Sequence, residues 1–540
     1  MTQGGVIEGW GMASIDESSS FVASAASARE VTRDTGVRLC FAVVALLLTL
    51  RIILAATTDL AEDEAYYWLW STHLATGYYD HPPMVAYWIR AGTAIFGQTA
   101  FGVRFVGLIS ALAGSYLLYR TSLSLFRDRT AAALVVLWMN ATLLCNAAAI
   151  LATPDTPLAF FATLALFALA KLIETGRGQW WYGVGAALGL AFMSKYTAVL
   201  LLPGVFLWVI ATAEGRRWFA RPELYLGAVA AFIIIAPVVV WNYSHEWVSF
   251  AKQAEHGIKD KPASAISSVA EFFGGQAGLA TPVIFVFCLF GSFYSLVRGI
   301  RRRDPHWLLL GAMSAPAFAF FFLHAASQKI QPNWPGFVYP AAILAAVHGF
   351  LAISDEGRVA PWIRASFRFA PWIGMAFTLV TFFQLGFGAL PIEAKKDPTT
   401  RLKGWAKLGA DVERLERDYG AGSILTDSYA ITGELAFYGS KPEAVSQINE
   451  RLRYANLPDP GESTLQNAPA LLVLRKGGNA ALAAPYFASS RFLTTLQREA
   501  GFHSRDAYDV HLLTGYRGGL FGRGTGPICG QAANQGRACN

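Results

Sequence analysis

Eleven apolar blocks punctuate this chain, and they constrain its fold more than any other feature. They cover residues 39–57, 103–118, 131–151, 157–170, 182–193, 198–213, 224–241, 279–297, 307–323, 338–353 and 371–390, each rich in Leu, Val, Ile, Phe and Ala. A membrane-spanning helix needs about 20 mostly apolar residues, so several blocks reach that length only with their flanks or with tilt. A soluble protein carries roughly 25% charged residues. This chain carries 15%, against 54% hydrophobic, so lipid must solvate the excess. The expected fold is a mainly α-helical polytopic membrane protein of about eleven spans.

The net charge of +7 raises the question of nucleic acid. The position of the cations answers it. Arg120, Arg127 and Arg129 follow the second block, Lys171 and Arg177 the fourth, and Arg216, Arg217 and Arg221 the sixth. Arg298 and Arg301–Arg303 follow the eighth, and Arg358, Arg364 and Arg368 the tenth. Basic residues in alternate loops mark the cytoplasmic side. The N-terminus is then cytoplasmic, and after eleven crossings the segment from 391 onward lies outside. Topology accounts for the charge, and no nucleic-acid partner is implied. The first block lacks a small-residue cleavage site and reads as a retained helix.

Four regions follow. Residues 1–37, Ser/Ala-rich, are expected as a disordered cytoplasmic tail. Residues 38–390 form the transmembrane part, with long outer loops at 59–101 and 243–277. Residues 391–515 have the composition of a small extracytoplasmic α/β domain, with a helix at 402–419 and β-type runs at 423–426, 470–474, 492–497 and 508–513. Residues 516–540 are a Gly-rich flexible tail in which Cys529 and Cys539 either pair or stay free. Cys40, Cys145 and Cys288 fall within spans as packing residues.

In loop 59–101, the stretches 64–73 and 84–96 are amphipathic and dense in Tyr and Trp, as expected of helices lying at the headgroup level. Three consecutive acids, Glu62, Asp63 and Glu64, stand just past the first span. They either cap the following helix or hold a cation or basic group, and one of them can serve as a general base. Asp80-His81-Pro82-Pro83 follows. Asp155, in Thr153-Pro154-Asp155-Thr156-Pro157, reads as a helix cap or as a carboxylate aimed into an outer cavity. Lys195, in Ser194-Lys195-Tyr196, either snorkels to headgroups or binds phosphate. Lys329, Asn333 and Trp334 make an interfacial anchor or a sugar or phosphate contact.

No Walker A loop or His-Glu-x-x-His pair is present. Gly183-x-Gly185-x-x-x-Gly189 has the spacing of a helix-packing face, not of a dinucleotide loop. Charges deep in the spans are rare, Arg51 being the main one. A transporter or flippase of lipid-linked sugars, the alternative reading, is expected to show midplane charges and inverted repeats. A non-catalytic receptor leaves the ordered outer acids without a role.

Glu62-Asp63-Glu64-Ala65-Tyr66-Tyr67 followed by Tyr79-Asp80-His81-Pro82-Pro83 resembles the first outer loop of the family 39 glycosyltransferases, of the GT-C group. That group includes protein mannosyltransferases and lipid A aminoarabinose transferases. Thr153–Pro157, Ser194-Lys195-Tyr196-Thr197, Trp241-Asn242 with His245, and Asn333-Trp334-Pro335 resemble later motifs of the family in the same order. Asp427-Ser428-Tyr429 and Glu434-Leu435-Ala436-Phe437-Tyr438 are similar to the outer-domain signature of bacterial members.

The resemblance implies a polyprenyl-phosphate–sugar donor, no nucleotide, and a lipid, glycan or protein acceptor on the outer face of the inner (plasma) membrane. It implies Asp63 and Asp155 as catalytic residues, with Asp63 the base. Glu64, Tyr66, His81, Lys195, Tyr196, His245, Lys329, Asn333 and Trp334 are implied as substrate-binding. Asp80, with Glu62, is implied as holding a divalent metal (Mg, Mn or Zn). Where the aminoarabinose transferases carry a lysine, this chain has His81, so its donor geometry is expected to differ.

Overall fold

The computed structural model describes residues 14–521 except 260–263, 358, 440, 455, 459–460 and 501–502. Cys529 and Cys539 lie outside it.

The long first helix, α1 (Ser14–Thr57), leads into the first outer loop. That loop folds as α2 (Glu62–Thr72) and α3 (Met84–Phe96). Then come α4 (Ala100–Phe126), the bent pair α5 (Arg129–Ala141) and α6 (Leu143–Ile150), α7 (Asp155–Thr175) and α8 (Trp180–Ser194). A 3-10 turn, Tyr196–Leu201, opens α9 (Leu202–Ala211), with the single turn α10 (Ala213–Arg216) and α11 (Pro222–Ser244) after it. The second outer loop holds α12 (Val248–Lys259) and α13 (Ala265–Ala280). The bundle closes with α14 (Pro282–Arg302), α15 (Pro305–Ala325), α16 (Tyr339–Asp355) and α17 (Pro361–Phe387).

Among the described residues, eight helices are long and apolar enough to cross a membrane, or ten if each of two bent pairs counts as one span. The remaining apolar block, the fifth, is α8, 15 residues long. Gly185 and Gly189 do form a packing face: a Cβ at Gly185 would lie 1.8 Å from the Gly227 carbonyl of α11. The first helix reaches back to Ser14, through the segment whose composition suggested disorder. An established helix extends at one hydrogen bond per residue fixed, and Ala23, Ala25, Ala26 and Ala28 favour that extension.

The outer domain carries α18 (Trp405–Tyr419), β1 (Ser423–Thr426), α19 (Tyr429–Tyr438), β2 (Val445–Gln447), α20 (Glu462–Asn467), β3 (Ala470–Arg475), β4 (Phe487–Ala500) and β5 (His503–Tyr516). The sheet order is β2-β1-β3-β5-β4, with β1 parallel to β2 and β3, and β5 antiparallel to β3 and β4. β2 has only three residues, too short for an alternating pattern to announce it.

The outer domain sits directly on the first outer loop. Asp59 accepts a hydrogen bond from the Trp405 amide, and the Leu60 amide donates to the Tyr438 hydroxyl. Helix α19 packs against α2 through Gly433, where a Cβ would stand 2.8 Å from the Tyr66 nitrogen. Every residue of α2 from Glu64 to Ser71 is therefore buried. The aromatic residues expected at the headgroup level are instead a core, with Trp70 stacked on Tyr78 at 4.4 Å. Covering by a second domain removes them from lipid, which a local pattern does not reveal.

Candidate functional site

The three acids at the start of α2 have three different environments. All stand at the positive end of the helix dipole, which favours carboxylates. Glu64 and Arg104 have fully buried side chains. Arg104 donates from Nε to Glu64 Oε1 at 2.9 Å and from Nη2 to Oε2 at 2.7 Å. The Glu64 carboxylate also accepts from the Ala61 and Ala152 amides. Arg104 further donates to the Ala55, Thr58 and Asp59 carbonyls. Glu64, expected to bind substrate, is thus wholly engaged inside the protein. Four hydrogen bonds use its lone pairs, and it positions its neighbours.

Asp63, one residue earlier, is exposed to solvent. The Tyr429 hydroxyl donates to its Oδ1 at 3.2 Å. Its carboxyl is nevertheless held above its ordinary range, chiefly because surrounding protein strips away water, and then by the charges of Glu62 and Asp80; Tyr429 and Arg401 oppose the shift. Glu62 is half-buried beside Asp63.

Asp80 accepts from the Tyr66 hydroxyl at 2.8 Å and from Arg453 Nη1 at 2.6 Å. Its backbone carbonyl accepts from Gln253 of α12. The His81 ring lies 6.1 Å from that of Tyr67. Gly77, where a Cβ would stand 2.7 Å from the Trp241 ring, lets this loop lie against the end of α11. There His245 stacks on Trp241 at 4.0 Å and is bonded to the Trp241 carbonyl, so it braces the helix end. Tyr196 is bonded to Ser249 and Asn242 and braces the same wall.

A second group gathers at the N-terminus of α7. Lys195 Nζ donates to Asp155 Oδ1 at 2.8 Å, and Asn333 Nδ2 donates to Asp155 Oδ2 at 2.8 Å. The Lys195 ammonium also stands 5.7 Å from the centre of the Trp334 ring. Four residues from distant motifs therefore meet. Burial first, and then the charges of Asp63, Asp80 and Asp155 among others, hold the Tyr67 hydroxyl far above its usual range. Lys329, by contrast, is exposed and makes no ion pair among the described residues.

Among the described residues, no group of three or more His, Cys, Asp or Glu side chains converges to hold an ion, and one Asp80 oxygen is shared by Arg453 and Tyr66. Sequence reasoning missed Arg104, Tyr67 and Arg453 as parts of the site. Tyr429 lay within a quoted motif without an assigned role. Tyr67 likewise lay within the quoted first-loop motif, whereas Arg104 and Arg453 depend on partners far away in the chain.

A helical membrane bundle with outer acids and a covering α/β domain defines a polytopic membrane protein of the GT-C fold. The crystal structure of ArnT from Cupriavidus metallidurans bound to undecaprenyl phosphate matches it with a TM-score of 0.57 at 18% identity, over 87% of this chain and 97% of that one. Residues 80–241 match the family described as dolichyl-phosphate-mannose-protein mannosyltransferase. The chain is 28% identical to the lipid A galacturonosyltransferase RgtD of Rhizobium johnstonii, over 54% of this chain and 60% of that one. It is 27% identical to the undecaprenyl phosphate-alpha-4-amino-4-deoxy-L-arabinose arabinosyl transferase 2 of Proteus mirabilis, over 51% of each. The matched region thus spans between half and two thirds of these relatives.

Proposed function

We propose that the protein is a glycosyltransferase that moves a sugar from a polyprenyl-phosphate donor to a lipid, glycan or protein acceptor, with inversion. The basic alternate loops support an inner-membrane orientation with a cytoplasmic N-terminus and an extracytoplasmic outer domain. The observation that carries the reading is a reachable Asp63 bonded to Tyr429, together with an Asp155 that binds both Lys195 and Asn333.

In this mechanism an acceptor hydroxyl attacks the anomeric carbon and Asp63 takes its proton. The new C–O bond forms as the bond from the anomeric carbon to the phosphate oxygen breaks, and the lipid phosphate leaves with the electron pair. General-base assistance of this kind is typically worth about 10²–10⁴-fold. Lys195, held by Asp155 and lying against Trp334, faces the negative charge that develops on the phosphate. Asp155 acts by positioning Lys195 and Asn333. The lipid A relatives favour a lipid acceptor among the three classes.

The test is transfer of labelled sugar from polyprenyl-phosphate carriers into membrane extracts by purified wild type and by Asp63→Asn. Label in an acceptor with wild type alone supports the reading and identifies sugar and acceptor together. Full transfer by a folded Asp63→Asn protein removes Asp63 as the base. Specific lipid flipping without any transfer favours a transporter.

A further inference from the structure

The outer domain reaches the candidate base along two routes that share one side chain. Arg453 has a side chain only 12% exposed, and it binds Asp80 at 2.6 Å and Glu450 at 2.8 Å. Its guanidinium lies 4.8 Å from the ring centre of Tyr429, 5.4 Å from that of Tyr79 and 6.0 Å from that of Tyr66. A cation within about 6 Å of an aromatic face is attracted to it. Tyr429, which donates to Asp63, thus has its ring fixed by Arg453 and by the Tyr66 ring 5.1 Å away.

We propose that Arg453 is a positioning residue for transfer, holding the Asp63 carboxylate in place through Tyr429 and Asp80, so that the outer domain forms part of the reaction site. This rests on the transferase reading. Two physical effects act together. The guanidinium beside the Tyr429 ring keeps its hydroxyl aimed at Asp63, and its charge offsets that of Asp80, which otherwise repels an ionised Asp63. The other groups facing Asp63 are Glu62 and Tyr67 on α2 and Arg401 before α18. Tyr66 also bonds Asp80 and packs on the Tyr429 ring, but it carries no positive charge to offset Asp80. Lysine supplies the charge but not a planar guanidinium that lies within about 6 Å of three ring centres.

The experiment compares pH profiles of transfer for full-length wild type, Arg453→Ala, Arg453→Lys and Tyr429→Phe, using labelled polyprenyl-phosphate–sugar as donor. Arg453→Ala is expected to lower kcat by about tenfold or more. Its acid limb of kcat/KM is expected to move up by roughly half a pH unit or more, because Asp63 becomes harder to ionise. Tyr429→Phe should move the limb the same way with a smaller loss of rate. Arg453→Lys should restore the limb more than the rate. A merely structural role would reduce the amount of folded protein and leave the limb in place. Wild-type limbs for both Arg453→Ala and Tyr429→Phe overturn the inference, as does a wild-type limb for Tyr429→Phe if Arg453→Ala fails to fold. If wild type transfers, Asp63→Asn does not, and the Arg453 variants match wild type, only the positioning role falls. If wild type transfers nothing, the transferase reading falls and takes this inference with it.

Discussion

Arg104 and Glu64 meet in a fully buried ion pair, 2.7 Å between Nη2 and Oε2, at the point where both halves of the site are anchored. Glu64 neighbours Asp63 in α2, and through the Ala152 amide it holds the segment that leads into Asp155. Arg104 ties the same knot to the end of α1. One buried pair thus sets the relative position of the two carboxylates that the mechanism needs.

Breaking that pair should be costly. Removing one partner of a buried ion pair leaves an uncompensated charge and costs about 3–5 kcal/mol. Glu64→Ala and Arg104→Ala are expected to lower thermal stability in detergent by that order, and the double variant by less than the sum. A small, additive loss would show that the knot does not organise the site.

The Asp63 carboxyl is raised above its ordinary range mainly by loss of water around it. A general base works only when ionised, so activity should fall as pH drops through a value above the usual carboxylate pKa of about 4. The kcat/KM profile measures this directly. An acid limb at or below that value would mean either that Asp63 is well hydrated or that another group takes the proton.

Lys195 and Asp155 should separate binding from chemistry. Lys195→Ala is expected to lower kcat by about 10²–10³-fold, the range for removing one preorganised donor, with KM changed much less. Asp155→Asn should follow in the same direction, because it frees Lys195 and Asn333 together. An effect confined to KM would make this group a docking contact.

Glu434 is 1% exposed, and among the described residues neither of its carboxylate oxygens has a hydrogen-bond partner. Burial first, and then the charges of Glu62 and Asp59, push its carboxyl well above the usual range. The folded state therefore keeps a proton that the unfolded chain loses in the ordinary carboxylate range. The stability from this group is complete below that range and declines as pH rises toward the folded-state value. Thermal midpoints of wild type should fall over this interval, whereas those of Glu434→Gln should be flatter. Parallel curves would place the carboxylate in an ionised, compensated state.

Much of the architecture was legible because it is local. The apolar blocks map onto helices of the bundle, since the need to bury backbone polar groups in lipid leaves a run of apolar residues little choice but helix. The runs at Ser423–Thr426 and Ala470–Leu474 appear as β1 and within β3, short continuous apolar runs of the kind that central, fully buried strands use. Asp155, Lys195, Asn333 and Trp334 were each picked out singly by residue type and position.

Their assembly was decided elsewhere. By itself the sequence determined a polytopic helical membrane protein with polar residues collected at its outer loops, because hydropathy and charge are properties of neighbouring residues. Only the tertiary structure decided that Lys195 faces Asp155, that Glu64 is buried with Arg104, and that Tyr429 and Arg453 return to Asp63 and Asp80 across 366 and 373 residues. It also moved the aromatic residues of α2 from the lipid interface into a core, by placing α19 on top of them. A carboxylate's role depends on which donors surround it and how much water they exclude. Those quantities arise when distant segments pack, and no local pattern carries them.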